Sequence, residues 1–566
     1  MGDERYLVTA ALPYSNGRLH VGHIAGAYLP ADTYVRYMRA RGREVRFICG
    51  SDDNGVAGLI TARKEGKPVE QVSARYNAQQ AADFAGLAIE SDIYGGTHQP
   101  EFVELHNRIS QDFFKAIHEK DFFRKKKTKQ LYDVEAEQFL PDRYVKGKCP
   151  YCGHGEAFGD QCEGCGKSMD PLLLVDPVST ITHSKPHVRE TVHWYLQLGK
   201  FEEPLAEWLD SHDDWRPTVL NFSRGLLREG LPERAMTRDL DWGVPVPLDD
   251  PDAKGKVLYV WFDAPIGYVS FTAAWCQRNG GSWQDYAHWW KSGDCKIVHF
   301  IGEDNTIFHA LIWPAMLMAE GTYQLPAYVV ANAFLNIKFP GREEEKVSKS
   351  RGNAIWIEEY LKSFDPDPLR YYLTAIATES QRAAFDVDEF INRNNSELLS
   401  TFGNFVNRTM TFTKRYLDGK VPPAGQRDQA DLEQLDACRR FAERTAEQLE
   451  AFHFKAGLNE AMSLAHEANA YFDRKQPWVQ RKDDLAACGT TLNVCLQTVK
   501  TLTTILQPFL PFSARKCLAQ LALDESALAW DQATVELSAG HKLGEPEVLF
   551  KKLDVSELFG DETSGD

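Results

Sequence analysis

The first 55 residues constrain the fold most. RYLVTAALPY (residues 5–14) reads as a buried strand, residues 21–41 carry a helical pattern stopped by Gly42, and GREVRFICGSDDNG (residues 42–55) is a second strand ending in a polar loop. Strand, helix, strand is a βαβ unit and implies a parallel sheet. Two further strand patterns, CKIVHFIGEDN (residues 295–305) and AYVVANAFLNI (residues 327–337), flank a predicted helix over TIFHALIWPAMLMAEG (residues 306–321). The sheet is therefore split by an insertion of roughly residues 114–255, which holds clustered cysteines and several Pro/Gly turns.

The rest of the chain has a different period. From about residue 390 the pattern is that of long helices; in residues 431–452, Leu435, Ala442 and Leu449 share one helical face with Leu432 and Phe452. The loop DGKVPPAGQRD (residues 418–428) separates this helix from the one before it, and the last twenty or so residues read as an acidic, frayed tail. A chain of 566 residues is too long for one core. The expected division is an α/β parallel-sheet domain in two halves, 1–115 and 257–338, split by an insertion, 116–256. A connecting region follows over 339–390, then an all-α helix bundle, 391–545, and a tail, 546–566.

Composition excludes some functions. A formal charge of −17 argues against a generally basic nucleic-acid binder, so any such contact must rest on local patches. The most basic run, RKKKTKQ (residues 124–130), is either a phosphate contact or a solvated charged face. The longest apolar run, residues 310–319, is too short to span a bilayer and contains a proline, and the N-terminus runs directly into a strand, with no signal peptide. No membrane association is expected. Eleven cysteines are too few for a disulfide scaffold of this length and fit a reducing cytoplasm with one metal site. That site is CPYCGHGEAFGDQCEGCG: Cys149, Cys152, Cys162 and Cys165 in the spacing C-x2-C-x9-C-x2-C, each pair followed by a glycine that permits a tight turn. Four thiolates in two doublets make a closed tetrahedral site, which suits one structural zinc ion and leaves no open position for catalysis.

Two polar clusters point to phosphate. His20-Val21-Gly22-His23 lies where the first strand gives way to the first helix, a place with free N–H groups and a positive dipole end. Far downstream, EEEKVSKSRGN (residues 343–353) supplies Lys346, Ser348, Lys349 and Ser350 in a loop able to neutralise charge on a triphosphate. Each alone is an ordinary helix start or basic loop. Together, one after the first strand and one after the last about 325 residues later, they resemble the paired HIGH and KMSKS signatures of class I aminoacyl-tRNA synthetases. The resemblance covers nearly the whole chain and narrows to the methionyl-tRNA synthetases. ALPY (residues 11–14), WFDAPIGY (residues 261–268) and FHALIWPAM (residues 308–316) are similar to that family's amino-acid pocket segments.

The resemblance implies a Rossmann-like catalytic domain, ATP with Mg²⁺ as substrate, L-methionine, and tRNA(Met), initiator and elongator. It implies that Tyr14, Asn16, Gly22, Ser348, Lys349 and Ser350 bind ATP, and that His20, His23, Lys346 and Lys349 act in catalysis. Ala11, Leu12, Tyr14, Trp261, Ala264, Pro265, Tyr268, His309 and Trp313 would line the methionine pocket, with Asp52 on the substrate ammonium. Asn404, Arg408 and Trp478 would read the anticodon, and the connective insertion would hold one zinc. Asn305 replaces an aliphatic residue that lines the pocket in some members. A Tyr hydroxyl or His N–H near a thioether would reject isosteric apolar side chains. The insertion is too short for the editing domain of the leucyl, isoleucyl and valyl relatives, which fit less well. A non-catalytic RNA-binding relative would have lost signature residues that are intact here. No added dimerisation module follows the helical domain, so a monomer is expected.

Overall fold

The computed structural model describes residues 4–554 apart from 160, 161, 163, 166, 168, 340, 342 and 347–353. Its centre is a five-stranded sheet. From one edge to the other run Tyr328–Asn332, Cys295–Gly302, Arg5–Ala10, Glu44–Ser51 and Ile93–Gly96, with every neighbouring pair parallel. The strand Arg5–Ala10 alternates as a doubly covered sheet requires. Tyr6, Val8 and Ala10 join one core with the helix Leu29–Ala40, whereas Leu7 joins the opposite core with the helices Val103–Glu119 and Val260–Arg278. Chain order reverses between Arg5–Ala10 and Cys295–Gly302, and the carboxyl ends of these two strands open a crevice there.

The predicted helix over residues 21–41 forms, with an irregularity. Val21–His23 is α-helical, Ile24–Tyr28 is a π-helical segment, and Leu29–Ala40 resumes the α-helix before Gly42 at φ +71°. Pro30 explains the break: without an N–H it cannot donate to the Gly26 carbonyl four residues back. The helix after Cys295–Gly302 repeats the device, with π-helix Phe308–Ile312, then Trp313–Glu320 containing Pro314, then Gly321 at φ +84°. The stretch 327–337, read as one strand, is two. Tyr328–Asn332 closes the main sheet, whereas Leu335–Lys338 pairs with Ala383–Asp386 and Glu345–Lys346 in a separate small sheet.

The insertion has its own antiparallel sheet, in which Phe123–Asp133 lies along His187–Leu196. The basic run sits on the first of these strands and is neutralised locally. Lys125 pairs with Asp250 and Asp252 at 2.7 Å each, Lys127 with Glu190 at 2.5 Å, Arg124 with Glu233 at 3.0 Å, and Lys126 also with Glu233. These pairs favour the charged face over a phosphate contact.

The helical bundle is built around Leu485–Leu506, whose residues from Cys488 onward are all buried. The helix Gln429–Glu450 differs from the expected stripe. Leu432 is 51% exposed, and the buried face runs through Ala437, Cys438, Phe441, Ala442, Thr445, Ala446 and Leu449. About two residues of mixed size per turn form this face, Ala442 and Leu449 of the expected stripe among them. Phe452 lies outside that helix, in the turn of the hairpin at φ +58°. Its ring packs against Tyr34 at 4.8 Å and Tyr328 at 4.9 Å, seating the hairpin on the sheet domain. The expected frayed tail is partly ordered. Leu549, Phe550 and Leu553 are buried, and Asn395 exchanges two hydrogen bonds of 2.9 Å with the Leu553 backbone. Residues 555–566 lie outside the described residues. Among the described residues no helix is long and apolar enough to cross a membrane.

Candidate active site

The crevice at the chain reversal is a cavity of about 430 Å³. Its walls hold Ala11, Leu12, Tyr14, Asp52, Trp261, Ala264, Pro265, Tyr268, His309 and Trp313, all ten of the expected methionine-pocket residues. Asn16, Gly22, His20 and His23 line the same cavity, so the pocket and the histidine turn are continuous. Lys346 is the end of a strand whose side chain is not described, and Ser348, Lys349 and Ser350 lie outside the described residues.

The histidine turn is a reciprocal cap. His20 Nδ1 accepts from the Gly22 N–H at 3.1 Å, and His23 Nδ1 accepts from the His20 N–H at 3.1 Å. The rings stack 3.7 Å apart. A capping box normally uses a hydroxyl and a carboxylate; here two imidazoles do the work of both. Because each Nδ1 is an acceptor, the proton of each neutral ring sits on Nε2, which makes both rings donors on their far edges. A Cβ at Gly22 would lie 3.0 Å from the His20 ring, so a side chain there would crowd the cap.

The segment that follows the lysine-rich loop is bound to this turn. Val21 N donates to the Ile355 carbonyl and Ile357 N to the Leu19 carbonyl, both at 3.1 Å. The Trp356 ring lies 5.9 Å from His20, and the Arg18 guanidinium sits 4.3 Å over that ring while pairing with Glu359 at 2.5 Å. Trp356 and Arg18 were not anticipated, because nothing in their local sequence marks them and only the tertiary pairing brings them to the turn.

Asp52 closes the other side. Its backbone exchanges hydrogen bonds with the loop after the first strand, Asp52 N to the Pro13 carbonyl at 2.9 Å and Ser15 N to the Asp52 carbonyl at 3.0 Å. The carboxylate is buried. Desolvation, then the charges of Asp263 and Asp53, push its pKa well above the usual carboxylate range, opposed only by the Asn54 N–H at 3.3 Å. Behind it lies a polar network: Asn54 donates to Asp263 at 2.7 Å and contacts His98 at 2.9 Å, and His106 meets Asp263 at 3.3 Å. An ammonium group at Asp52 would supply the cation that this acidic corner lacks.

The apolar end is walled by Trp261, which stacks on Phe308 at 4.0 Å and meets the edge of Tyr14 at 6.4 Å. WFDAPIGY belongs to the helix Val260–Arg278 and is neither strand nor turn. Burial holds His309 neutral, drawing it down to about 4. Its Nδ1 faces the Asn305 carbonyl at 3.2 Å, which only accepts, so Nδ1 carries the proton and Nε2 accepts from the Tyr268 hydroxyl at 3.0 Å. Both protons are therefore used within the protein, which fixes how the two side chains face the cavity. Trp313 Nε1 is a buried donor with no hydrogen-bond partner among the described residues.

In the insertion, the four cysteine sulfurs lie within 4.8 Å of one another, with Cys149 to Cys165 at 3.9 Å and Cys152 to Cys162 at 3.6 Å. Tetrahedral zinc with Zn–S bonds of about 2.3 Å requires sulfurs about 3.8 Å apart, so the cluster fits the ion. Gly153, at φ +77°, makes the first turn, and its N–H bonds back to the Cys149 carbonyl at 3.0 Å. Desolvation raises the Cys149 thiol, but the backbone donors of Cys152 and Tyr151 and the neighbouring thiols of Cys162 and Cys152 together lower it to about 7. In the bundle, Asn404 and Arg408 stand one turn apart on Asn404–Tyr416. Arg408 lies 5.6 Å over the Trp478 ring and pairs with Asp473 at 2.7 Å, which joins the three expected recognition residues in one patch.

Comparison with known proteins follows the same division. Residues 6–410 match the family described as tRNA synthetases class I (M), and residues 421–560 match the anticodon binding domain of methionyl tRNA ligase. The chain is 46% identical to a methionine–tRNA ligase of Porphyromonas gingivalis, over 98% of this chain and 80% of the relative. It is 44% identical to that of Pyrococcus furiosus, over 98% and 76% respectively. Among solved structures it is similar to Mycobacterium tuberculosis methionyl-tRNA synthetase bound by methionyl-adenylate. The TM-score is 0.79 and the identity 25%, covering 97% of this chain and all of that one.

Proposed function

The chain belongs to the tRNA synthetases class I (M), and from that premise we propose that it is a methionine–tRNA ligase. It activates L-methionine with ATP and transfers the methionyl group to tRNA(Met), initiator and elongator alike, since both carry the CAU anticodon. One observation carries the reading: the ten residues expected for methionine share a single cavity with the capped histidine pair.

Two steps follow. The methionine carboxylate attacks the α-phosphorus of ATP in line, expelling pyrophosphate and leaving methionyl-adenylate. The terminal ribose hydroxyl of tRNA then attacks the acyl carbonyl and releases AMP. Positioning and charge stabilisation supply the catalysis, with no covalent intermediate on the enzyme. His20 and His23 donate through Nε2 to phosphate oxygens. Lys346 and Lys349 neutralise charge on the leaving pyrophosphate, with Ser348 and Ser350 beside them, and Tyr14, Asn16 and Gly22 border the nucleotide. Asp52 pairs with the ammonium, and the Trp261–Phe308 stack covers the side chain. Mg²⁺ enters with ATP. Zinc held by the four cysteines stabilises the insertion and takes no part in the chemistry.

Asn404, Arg408 and Trp478 read the anticodon by stacking and edge hydrogen bonds. The domain boundaries expected from the sequence are retained as functional units. The chain works as a monomer, because pocket and recognition patch lie within one chain, and in the cytoplasm, in keeping with the seven buried thiols outside the metal cluster. ATP–pyrophosphate exchange with a panel of amino acids tests the reading. Methionine-dependent exchange is expected; exchange with leucine or valine instead would assign a sister activity, and none at all would remove the enzyme.

A further inference from the structure

Gly26 lines the cavity, and its carbonyl has lost its α-helical donor to Pro30. The side chain of Asn332, at the end of the edge strand, replaces that donor: its Nδ2 donates to Gly26 O at 2.8 Å. Asn332 is itself buried, 3% exposed, and lines the cavity. An amide placed this way needs something to fix which end points where. Arg216 does so from the insertion, donating through Nη1 to Asn332 Oδ1 at 2.6 Å and to the Ala331 carbonyl at 2.8 Å. Its other nitrogen, Nη2, donates to the Phe452 carbonyl at 2.8 Å, in the turn that seats the helical hairpin on the sheet domain. The adjacent Trp215 pins the same segment, with Nε1 donating to the Ala327 carbonyl at 2.8 Å. One guanidinium thus joins three parts of the chain at the wall of the cavity.

We propose that Arg216 is a positioning residue for ATP: through Asn332 it holds the Gly26 carbonyl and the π-helical turn behind His23 in place, and it does so only when insertion and hairpin are both seated. The inference rests on the reading of the cavity as an ATP and methionine site. Gly26 follows the histidine turn directly, whereas the Trp261, Tyr268 and His309 wall is carried by other helices. Loosening the amide should therefore affect ATP and leave methionine recognition intact. The arrangement also gives the helical domain a physical link to the reaction. The helix Phe454–Lys475 starts two residues beyond the Arg216 contact and ends beside Trp478, a span of about 33 Å at 1.5 Å per residue.

The test uses the full chain with Asn332→Ala, Arg216→Lys, Arg216→Met and the Asn332→Ala/Arg216→Met pair. KM for ATP and for methionine are measured in pyrophosphate exchange, ATP affinity by calorimetry, and folding by thermal melting. A rise of about 3- to 10-fold in KM for ATP is expected for Asn332→Ala and Arg216→Met, with methionine KM within about twofold. Arg216→Lys should fall between these and the unaltered chain. The double variant should be no worse than the worse single, because both remove one link. Equal rises in both KM values, additive losses, or lowered melting with unchanged ATP KM would make Arg216 a structural clamp and overturn the proposal. Should Arg216→Met fail to fold, Asn332→Ala and Arg216→Lys decide alone. Absence of methionine-dependent exchange in the unaltered chain would refute the enzymatic reading instead. Calorimetric ATP affinity, compared across the variants, would then decide the positioning role by itself.

Discussion

The substitution Asp52→Asn keeps the shape of the side chain and removes its charge. Asp52 is 4% exposed, accepts one backbone N–H at 3.3 Å, and sits against two further acids, Asp53 and Asp263, with His98 and His106 on the far side of the network. A charge-assisted hydrogen bond to an ammonium contributes roughly 1.5–3 kcal/mol, so the variant should raise KM for methionine about 10- to 150-fold. ATP KM should stay nearly constant. Stability should move the other way. Because the folded pKa is raised above its unfolded value, the protonated acid is favoured in the fold. The resulting stability is present below the unfolded pKa of about 4 and is lost as pH rises through the folded value. Asparagine removes that loss, so the variant should melt higher than the parent at pH 7, with the gap closing toward pH 4. In the parent, methionine KM should climb as acidification protonates Asp52, and in the variant it should be flat. Exchange kinetics across pH, with melting curves in the same buffers, measure all of this. A methionine KM within threefold of the parent, or a lower melting point at pH 7, would refute the assignment of Asp52 to the ammonium.

Lys349→Ala should slow adenylate formation severely while methionine affinity changes little, since charge on pyrophosphate develops only in the transition state; equal losses in single-turnover rate and in binding would make the loop structural. Cys149→Ser or Cys162→Ser should release one zinc per chain, read by metal analysis, and increase protease cleavage within the insertion; intact folding and activity without zinc would contradict a structural ion. Trp478→Ala should strongly weaken aminoacylation of tRNA bearing CAU and leave tRNA-independent exchange nearly intact. Loss of both activities with thermal stability would make Trp478 a packing residue, as its stacking on Phe472 at 6.0 Å allows. Arg370→Met should cost about 3–5 kcal/mol in urea unfolding, because it strands buried Asp32 and the carbonyls of Leu87, Pro508 and Phe509; a change under 1 kcal/mol would show that Arg36 alone compensates Asp32.

Local chemistry was legible in the sequence wherever a few neighbouring residues suffice to impose it. The cysteine doublets specify a tetrahedron because two short turns can bring four thiols together whatever surrounds them. The parallel sheet follows from an apolar strand, a helix stopped by glycine, and another strand. The pocket residues, carried over by resemblance, meet in one cavity because each lies just past a strand end or on the helix behind it. Other features were decided only by the tertiary structure. Residues 327–337 look like one strand, and the division falls at Asn332, whose side chain bonds to Gly26, 306 positions away in sequence. The two π-helical turns come from Pro30 and Pro314, but the donor that reaches the displaced Gly26 carbonyl, Asn332, is supplied by a distant strand. The donor state of His309 depends on Tyr268 and on the Asn305 carbonyl, one turn back in its own chain and invisible to any reading of side chains. Arg216 and Trp356 carry no local mark at all. Sequence pattern records which face a residue buries; the partner that gives a buried polar atom its second bond is chosen by the fold, since satisfying it requires chain segments hundreds of residues apart.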